Sequence, residues 1–186
     1  PVEVQFARGL RDKKLFRDDK NLWDYSSCKR TPLVLHPWIV DYFFGELSLP
    51  ESLIGKADLK SSFQKTEWIG YTDIYEQIHT LVRENTPINI VITGKDGCGK
   101  HSLIENIYGE TERKLLTFSW EAYENNNDRQ TFLQDAESFV EMVGADVCIF
   151  DYTAKQTEEL TQERMPSDFS GFVKSLNEHK HILIMT

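Results

Sequence analysis

The chain has 186 residues, 40% of them hydrophobic and 12% aromatic, which is enough for one ordinary domain with a real core and a small appendage. Its net charge of −9 disfavours nucleic acid as the main partner, so any attraction for phosphate has to be local. Three widely separated cysteines (Cys28, Cys98, Cys148) exclude a disulfide framework. There is also no secretory signal and no run near the roughly 20 apolar residues of a membrane span, so the compartment expected is cytoplasmic, with no membrane partner.

The chain opens on Pro1 rather than Met and stops on a strand-like run at Thr186, so it reads as a piece of a longer protein. Residues 1–60 read as a small helical front segment and residues 61–186 as the main domain. In the front segment Arg8, Arg11, Lys13, Lys14 and Arg17 interleave with Asp12, Asp18 and Asp19, the pattern of a solvated face. A short helix is expected around Leu10–Phe16. Another runs from Pro37, which suits a first helical turn, to Phe44, with Ile39, Val40 and Phe43 on one side and Gly45 closing it. Residues 46–70 carry Pro50, Gly55 and Gly70 and read as connection and turns.

From Thr72 the spacing predicts a helix: Ile74, Ile78, Leu81 and Val82 share a face, Thr72 or Asp73 can cap it, and Asn85-Thr86-Pro87 ends it. A β-branched run, Ile88–Ile92, follows directly. Further on, Leu115–Trp120 reads as a strand and Asn125–Asp128 as a polar loop. Phe132, Leu133, Ala136, Phe139, Val140 and Val143 mark a helix closed by Gly144. Val147–Phe150 is a third strand, followed by polar residues 153–165. Ser167 then caps a helix carrying Phe169, Phe172, Val173 and Leu176, and Ile182–Met185 is a fourth strand. Strands alternating with helices of this length predict a parallel sheet covered on both faces.

The most informative segment lies between the first strand and the helix expected at Ser102–Tyr108. Gly94-Lys95-Asp96-Gly97-Cys98-Gly99-Lys100 fits G-x-x-x-x-G-K, the Walker A pattern of a phosphate-binding P-loop. Glycines let backbone N–H groups converge on one anion, the following helix N-terminus adds partial positive charge, and Lys100 adds a full one. One position departs. A Ser or Thr hydroxyl after the lysine holds Mg²⁺ in such loops, and here it is His101. Ser102 comes next, but a residue further on is about 100° around a helix. The loop is therefore expected to hold phosphate better than metal. The bland alternative is a glycine-rich turn with no ligand.

A second chemical element is Val147-Cys148-Ile149-Phe150-Asp151, an apolar strand ending in an acid. In P-loop proteins the strand beside the loop carries an Asp that orients the Mg²⁺ water shell, and Asp151 is the candidate. Tyr152 follows where ATP hydrolases place a Glu to polarise water, and a tyrosine is a poor base at neutral pH. His101 and Tyr152 both affect metal and water rather than phosphate, so weak or absent hydrolysis is expected.

Taken in order, the helix at 72–84, the strand and loop Ile88–Lys100, the strand Val147–Asp151 and the strand His181–Thr186 resemble the AAA+ ATPase module over roughly residues 66–186. The front segment, with Phe16, then Leu35-His36-Pro37-Trp38-Ile39-Val40-Asp41-Tyr42-Phe43-Phe44-Gly45 and then Leu49-Pro50, is similar to the region before the first module, often degenerate, of large bacterial tandem AAA proteins. The resemblance implies a P-loop NTPase fold: a three-layer α/β structure on a parallel sheet, lacking the helical lid. It implies ATP or ADP at Gly94, Lys95, Asp96, Gly97, Cys98, Gly99, Lys100, His101 and Ser102, with Mg²⁺ near Ser102 and Asp151. It also implies a polar sensor residue at or just beyond Thr186, adenine near Trp68–Thr72, and other protein subunits, arranged as a ring in the full-length protein, as partners. The function implied is an ATP-binding module that couples nucleotide state to protein remodelling or assembly. The alternative is a P-loop-fold scaffold that mediates protein contacts without catalysis. A small-molecule kinase is disfavoured by His101 and by the lack of an acceptor motif.

Overall fold

A computed structural model describes residues 35–63, 70, 72–95, 97–111, 113–152 and 166–186. The expected helix at Leu10–Phe16, most of the Trp68–Thr72 strip, Asp96 and the polar stretch 153–165 lie outside the described residues. The described chain falls into two compact units, the first ending at Glu51 and the second spanning Ser52–Thr186.

In the first unit, helix α1 (Pro37–Phe43) starts on its proline, whose fixed φ suits the first helical position. Gly45 follows with φ 85°, a left-handed value that glycine adopts at little steric cost. The buried pair is Trp38 and Ile39, not the Ile39–Val40–Phe43 side expected: Phe43 and Phe44 are 74% and 83% exposed.

The second unit holds β1 (Ala57–Lys60), α2 (Thr72–Arg83), β2 (Asn89–Val91), α3 (Lys100–Thr111), β3 (Lys114–Ser119), α4 (Trp120–Glu124), α5 (Arg129–Val143), β4 (Ala145–Phe150), α6 (Ser167–Glu178) and β5 (Leu183–Met185). The sheet order is β1-β3-β4-β5-β2. β3, β4, β5 and β2 are parallel neighbours, with Cys148 opposite Ile184 and Ile184 opposite Ile90. β1 pairs antiparallel with β3, setting Asp58 against Thr117. It was not expected, because four residues with only Ala57 and Leu59 apolar look like part of the turn-rich connection around them.

Alternation along the strands divides the core. Leu115, Cys148, Ile182 and Ile184 cluster with Ile78 and Val82 of α2 and with Leu103, Ile104, Ile107 and Tyr108 of α3. On the opposite face Phe118 meets Phe132 of α5 edge-on, ring centroids 5.2 Å apart, and α5 packs in turn on α6. The result is the three-layer α/β arrangement that a helix-alternating parallel sheet needs to bury both its faces.

Local chemistry sets the element ends. Asp128 accepts from the Thr131 N–H at 2.9 Å to cap α5, and Gly144 closes it in the left-handed region at φ 69°. Ser119 accepts from the Ala122 N–H at 3.1 Å and caps α4, so the strand expected at Leu115–Trp120 stops at Ser119 and Trp120 becomes the first helical residue. Ser167 does not cap α6. Pro166 holds the N-cap position and Ser167 is the first helical residue.

Candidate functional site

β2 delivers the chain to Gly94 beside the parallel strand β5, and the Ile92 N–H donates to the Met185 carbonyl at 2.8 Å. The loop then turns through Gly97 (φ 75°) and Gly99 (φ 90°), both in the left-handed region where a Cβ is penalised. At Gly94 a Cβ would stand 2.8 Å from the Cys98 Sγ, so a larger residue there would have to turn that thiol aside. The Cys98 N–H donates to the Lys95 carbonyl at 3.2 Å, and Leu103 N–H to Gly99 carbonyl at 2.9 Å starts the ladder of α3. No acidic residue occupies the first turn of α3, so its N-terminal N–H groups and dipole meet no side-chain carboxylate there.

Lys100 is the first residue of α3, and its Nζ donates to the Gly94 carbonyl oxygen at 2.9 Å. The ammonium is thus folded back across the loop. Releasing an exposed contact of this kind costs about 1 kcal/mol, so it is a modest brake on an incoming anion rather than a block.

A cleft of about 590 Å³ opens beside the loop, lined by Ile74, Ile92, Thr93, Gly94, Lys95, Cys98, Gly99, Lys100 and Leu103. Ile74 shares its helical face with Ile78 and Val82, yet it is 45% exposed while they are buried. Its position on the cleft accounts for the difference. Ile74 and Leu103 were not foreseen as lining residues, because a helical period marks an apolar face without saying where that face runs past the core.

Asp151 follows Phe150, the last residue of β4, at the same C-terminal end of the parallel strands as the loop, and it is exposed. β4 is not the strand beside the loop, as the sequence reading had it: β5 lies between β2 and β4. The order of strands in space is not that of the sequence, and the last strand of the chain inserts between the two. Asp151 adopts φ 62°, a left-handed conformation that Asp tolerates better than most residues.

The two departures from the motif find aromatic neighbours. The His101 imidazole lies on the Phe150 ring, centroids 4.0 Å apart at 55°. Tyr152 is only 7% exposed. It meets Trp120 edge-on at 4.9 Å and stacks near Phe169 at 6.3 Å. Ser102 is exposed on the first turn of α3. Thr186 is buried at the end of β5, with its N–H on the Ile149 carbonyl at 3.0 Å and its hydroxyl oxygen without a partner. That orphaned hydroxyl stands between the strand that feeds the loop and the strand that ends in Asp151.

These residues do not fit a magnesium ion well. The position that should offer a hydroxyl carries a ring packed on Phe150, and the next hydroxyl, Ser102, is about 100° further around the helix. Among the described residues no three His, Cys, Asp or Glu side chains come together as a metal-binding group. Asp151 is left as the anionic candidate. Also among the described residues, no helix is long and apolar enough to cross a membrane.

No protein-family model matches the sequence, and no curated protein matches it. Solved structures do share its fold. A structure from work on katanin self-assembly superposes with a TM-score of 0.51 at 12% identity, covering 77% of this chain and 55% of that one. The HORMA:CdnC:Trip13 complex of E. coli MS115-1 gives 0.49 at 13% identity, covering 75% of this chain and 65% of that one. The chain thus spans little more than half, and just under two thirds, of the lengths of these neighbours. At such identities the likeness is one of fold alone.

Proposed function

We propose that this chain is a nucleotide-binding module of AAA+ type, taking ATP or ADP at Gly94–Ser102 and coupling its occupancy to protein assembly or remodelling. The observation that carries this reading is the loop itself. A strand in a parallel sheet feeds a turn with left-handed Gly97 and Gly99, the turn opens a twelve-residue helix at Lys100, and a cleft with Ile74 and Leu103 on its walls lies beside it. Convergent backbone N–H groups, a helix N-terminus and a lysine are what a polyphosphate requires, and an apolar wall suits a base. The fold likeness to katanin, and the assembly named for that protein, support protein partners.

Hydrolysis by the isolated module is expected to be slow or absent. A base has to reach water beside the terminal phosphate, and the side chain after Asp151 is instead buried among Trp120 and Phe169. Stabilisation of the transition state would also call for a cation from a neighbouring subunit, as arginine fingers provide.

The second reading is a scaffold that keeps the fold without a ligand. The Lys100 contact to Gly94 and the aromatic packing of His101 and Tyr152 favour it. Calorimetric titration of ATP and ADP, with and without magnesium, separates the two. Binding that Lys100→Ala weakens by tenfold or more supports the module, while silence at millimolar nucleotide leaves the scaffold.

A further inference from the structure

His101 sits where a metal-holding hydroxyl is required, and that disagreement has a chemical consequence. A nucleoside triphosphate brings about four negative charges at neutral pH, which a magnesium ion ordinarily offsets beside the carboxylate that ends the acidic strand. Here the first turn of α3 presents Lys100, then an imidazole packed on Phe150, then a serine about 100° further around the helix. The exposed Asp151 would be left alone to hold the ion.

The loop carries cationic charge of its own. Lys95 lines the cleft and is exposed. Its carbonyl is fixed by the Cys98 N–H, which sets the turn from which its side chain leaves. Lys100 lines the same cleft, with its Nζ on the Gly94 carbonyl at 2.9 Å. Lys95 and Lys100 both line this cleft, and with Asp96 between them in sequence the loop keeps a net positive charge on a chain whose total is −9. Against that overall field they are a local attraction for polyanions.

We infer that the Gly94–Lys100 loop takes a nucleoside di- or triphosphate in its metal-free form, with Lys95 joining Lys100 to supply the charge that a divalent cation supplies elsewhere. The inference rests on the nucleotide reading above and adds to it the ionic form of the ligand and a binding role for Lys95. Nothing in it requires the His101 ring to move from Phe150, whereas a metal held from this turn would.

The test is calorimetric titration of the full chain with ADP and with ATP, in excess EDTA and in excess MgCl₂. Wild type is expected to bind with affinities that agree within about threefold in the two buffers, well under the tenfold that 1.4 kcal/mol represents. Lys95→Ala should weaken binding in EDTA by about tenfold, the scale of one charge-assisted hydrogen bond, and Lys95→Arg should restore most of it. His101→Thr should create a magnesium preference that wild type lacks. Wild-type affinity that falls tenfold or more on chelation overturns the inference and leaves the nucleotide reading standing, as does a Lys95→Ala variant that binds like wild type in EDTA. No binding in either buffer, or binding indifferent to Lys100→Ala, removes the nucleotide reading and the inference with it.

Discussion

Asp146 is the second residue of β4 and is fully buried, and the strand that leads to Asp151 depends on it. Its Oδ1 accepts from Arg113 Nη2 at 2.8 Å and from the Ile182 N–H at 2.9 Å. Its Oδ2 accepts from Arg113 Nε at 2.8 Å and from the Tyr108 hydroxyl at 3.0 Å. Burial first, and Asp146 second, push the Tyr108 pKa well up, so its hydroxyl stays a donor. Asp146→Asn keeps the shape and removes the charge. Its best orientation leaves the amide oxygen toward Ile182 and Arg113 Nη2. The amide NH₂ then faces the Arg113 Nε–H, donor against donor, while the Tyr108 hydroxyl can turn to accept. Breaking a buried pair from one side costs about 3–5 kcal/mol. Arg113 is 23% exposed, and the water it retains lowers the expected loss to about 2–3 kcal/mol. That is a large part of a domain stability of about 5–15 kcal/mol. In urea, with a slope near 2 kcal/mol per molar, the midpoint should fall by about 1–1.5 M at unchanged slope. Tyr108→Phe, which removes one of four donors, should cost only about 1 kcal/mol. An Asp146→Asn midpoint within about 0.2 M of wild type would refute the account of how β4 is anchored.

Other expectations follow from the same contacts. Tyr152→Glu should lower stability by about 2–3 kcal/mol and create no magnesium-dependent ATP hydrolysis, because it puts a carboxylate against Trp120 and Phe169. Release of phosphate above background would show that the position faces the cleft after all. Cys98 is exposed, whereas Cys148 is buried and its thiol is pushed up by that burial. Alkylation followed by peptide mass analysis should therefore modify Cys98 and spare Cys148 until the chain unfolds, with ADP slowing the reaction at Cys98. His181 is held below the ordinary histidine pKa, by burial first, against the opposing pull of Asp146. The unfolded chain then takes up a proton there before the native one does, so stability falls as pH drops below about 6.5 toward the native pKa. The pH dependence of the urea midpoint should flatten across that window in His181→Gln, and an identical slope in both proteins would remove His181 as its source.

The parts of this fold that were legible in the sequence carry a strong local period or a distinctive turn. The apolar positions Phe132, Leu133, Ala136, Phe139, Val140 and Val143 are the ones α5 buries, because a 15-residue amphipathic helix has one face to spend on the sheet. The glycine loop announced itself through residues whose torsions only glycine reaches easily. What stayed hidden was set by pairing across the chain. β1 exists because Ala57–Lys60 finds the open edge of β3, and nothing within those four residues says so. The insertion of β5 between β2 and β4 is equally non-local, and it removed Asp151 from the strand next to the loop. Trp120 shows the limit of apolar runs: Ser119 captures the Ala122 N–H and turns strand into helix at a residue that hydrophobicity alone would have left extended.

The conformation of Asp151 ties the two motif departures together. Alternation along β4 puts Cys148 and Phe150 on the α3 side, and Phe150 accordingly packs toward that cluster and carries the His101 ring. Had the strand continued, Tyr152 would lie on that side too, beside the loop. At φ 62° Asp151 breaks the alternation instead. Tyr152 enters the cluster of Trp120 and Phe169, which belongs to α4 and α6 on the other side of the sheet. Strand alternation thus sends Phe150 toward the metal position, and the left-handed residue after it turns Tyr152 away from the water position. Replacing side chains at 101 or 152 changes the chemistry offered but not the direction in which the backbone offers it. For that reason a module with His101→Thr is expected to gain magnesium affinity without gaining hydrolysis, even when combined with Tyr152→Glu.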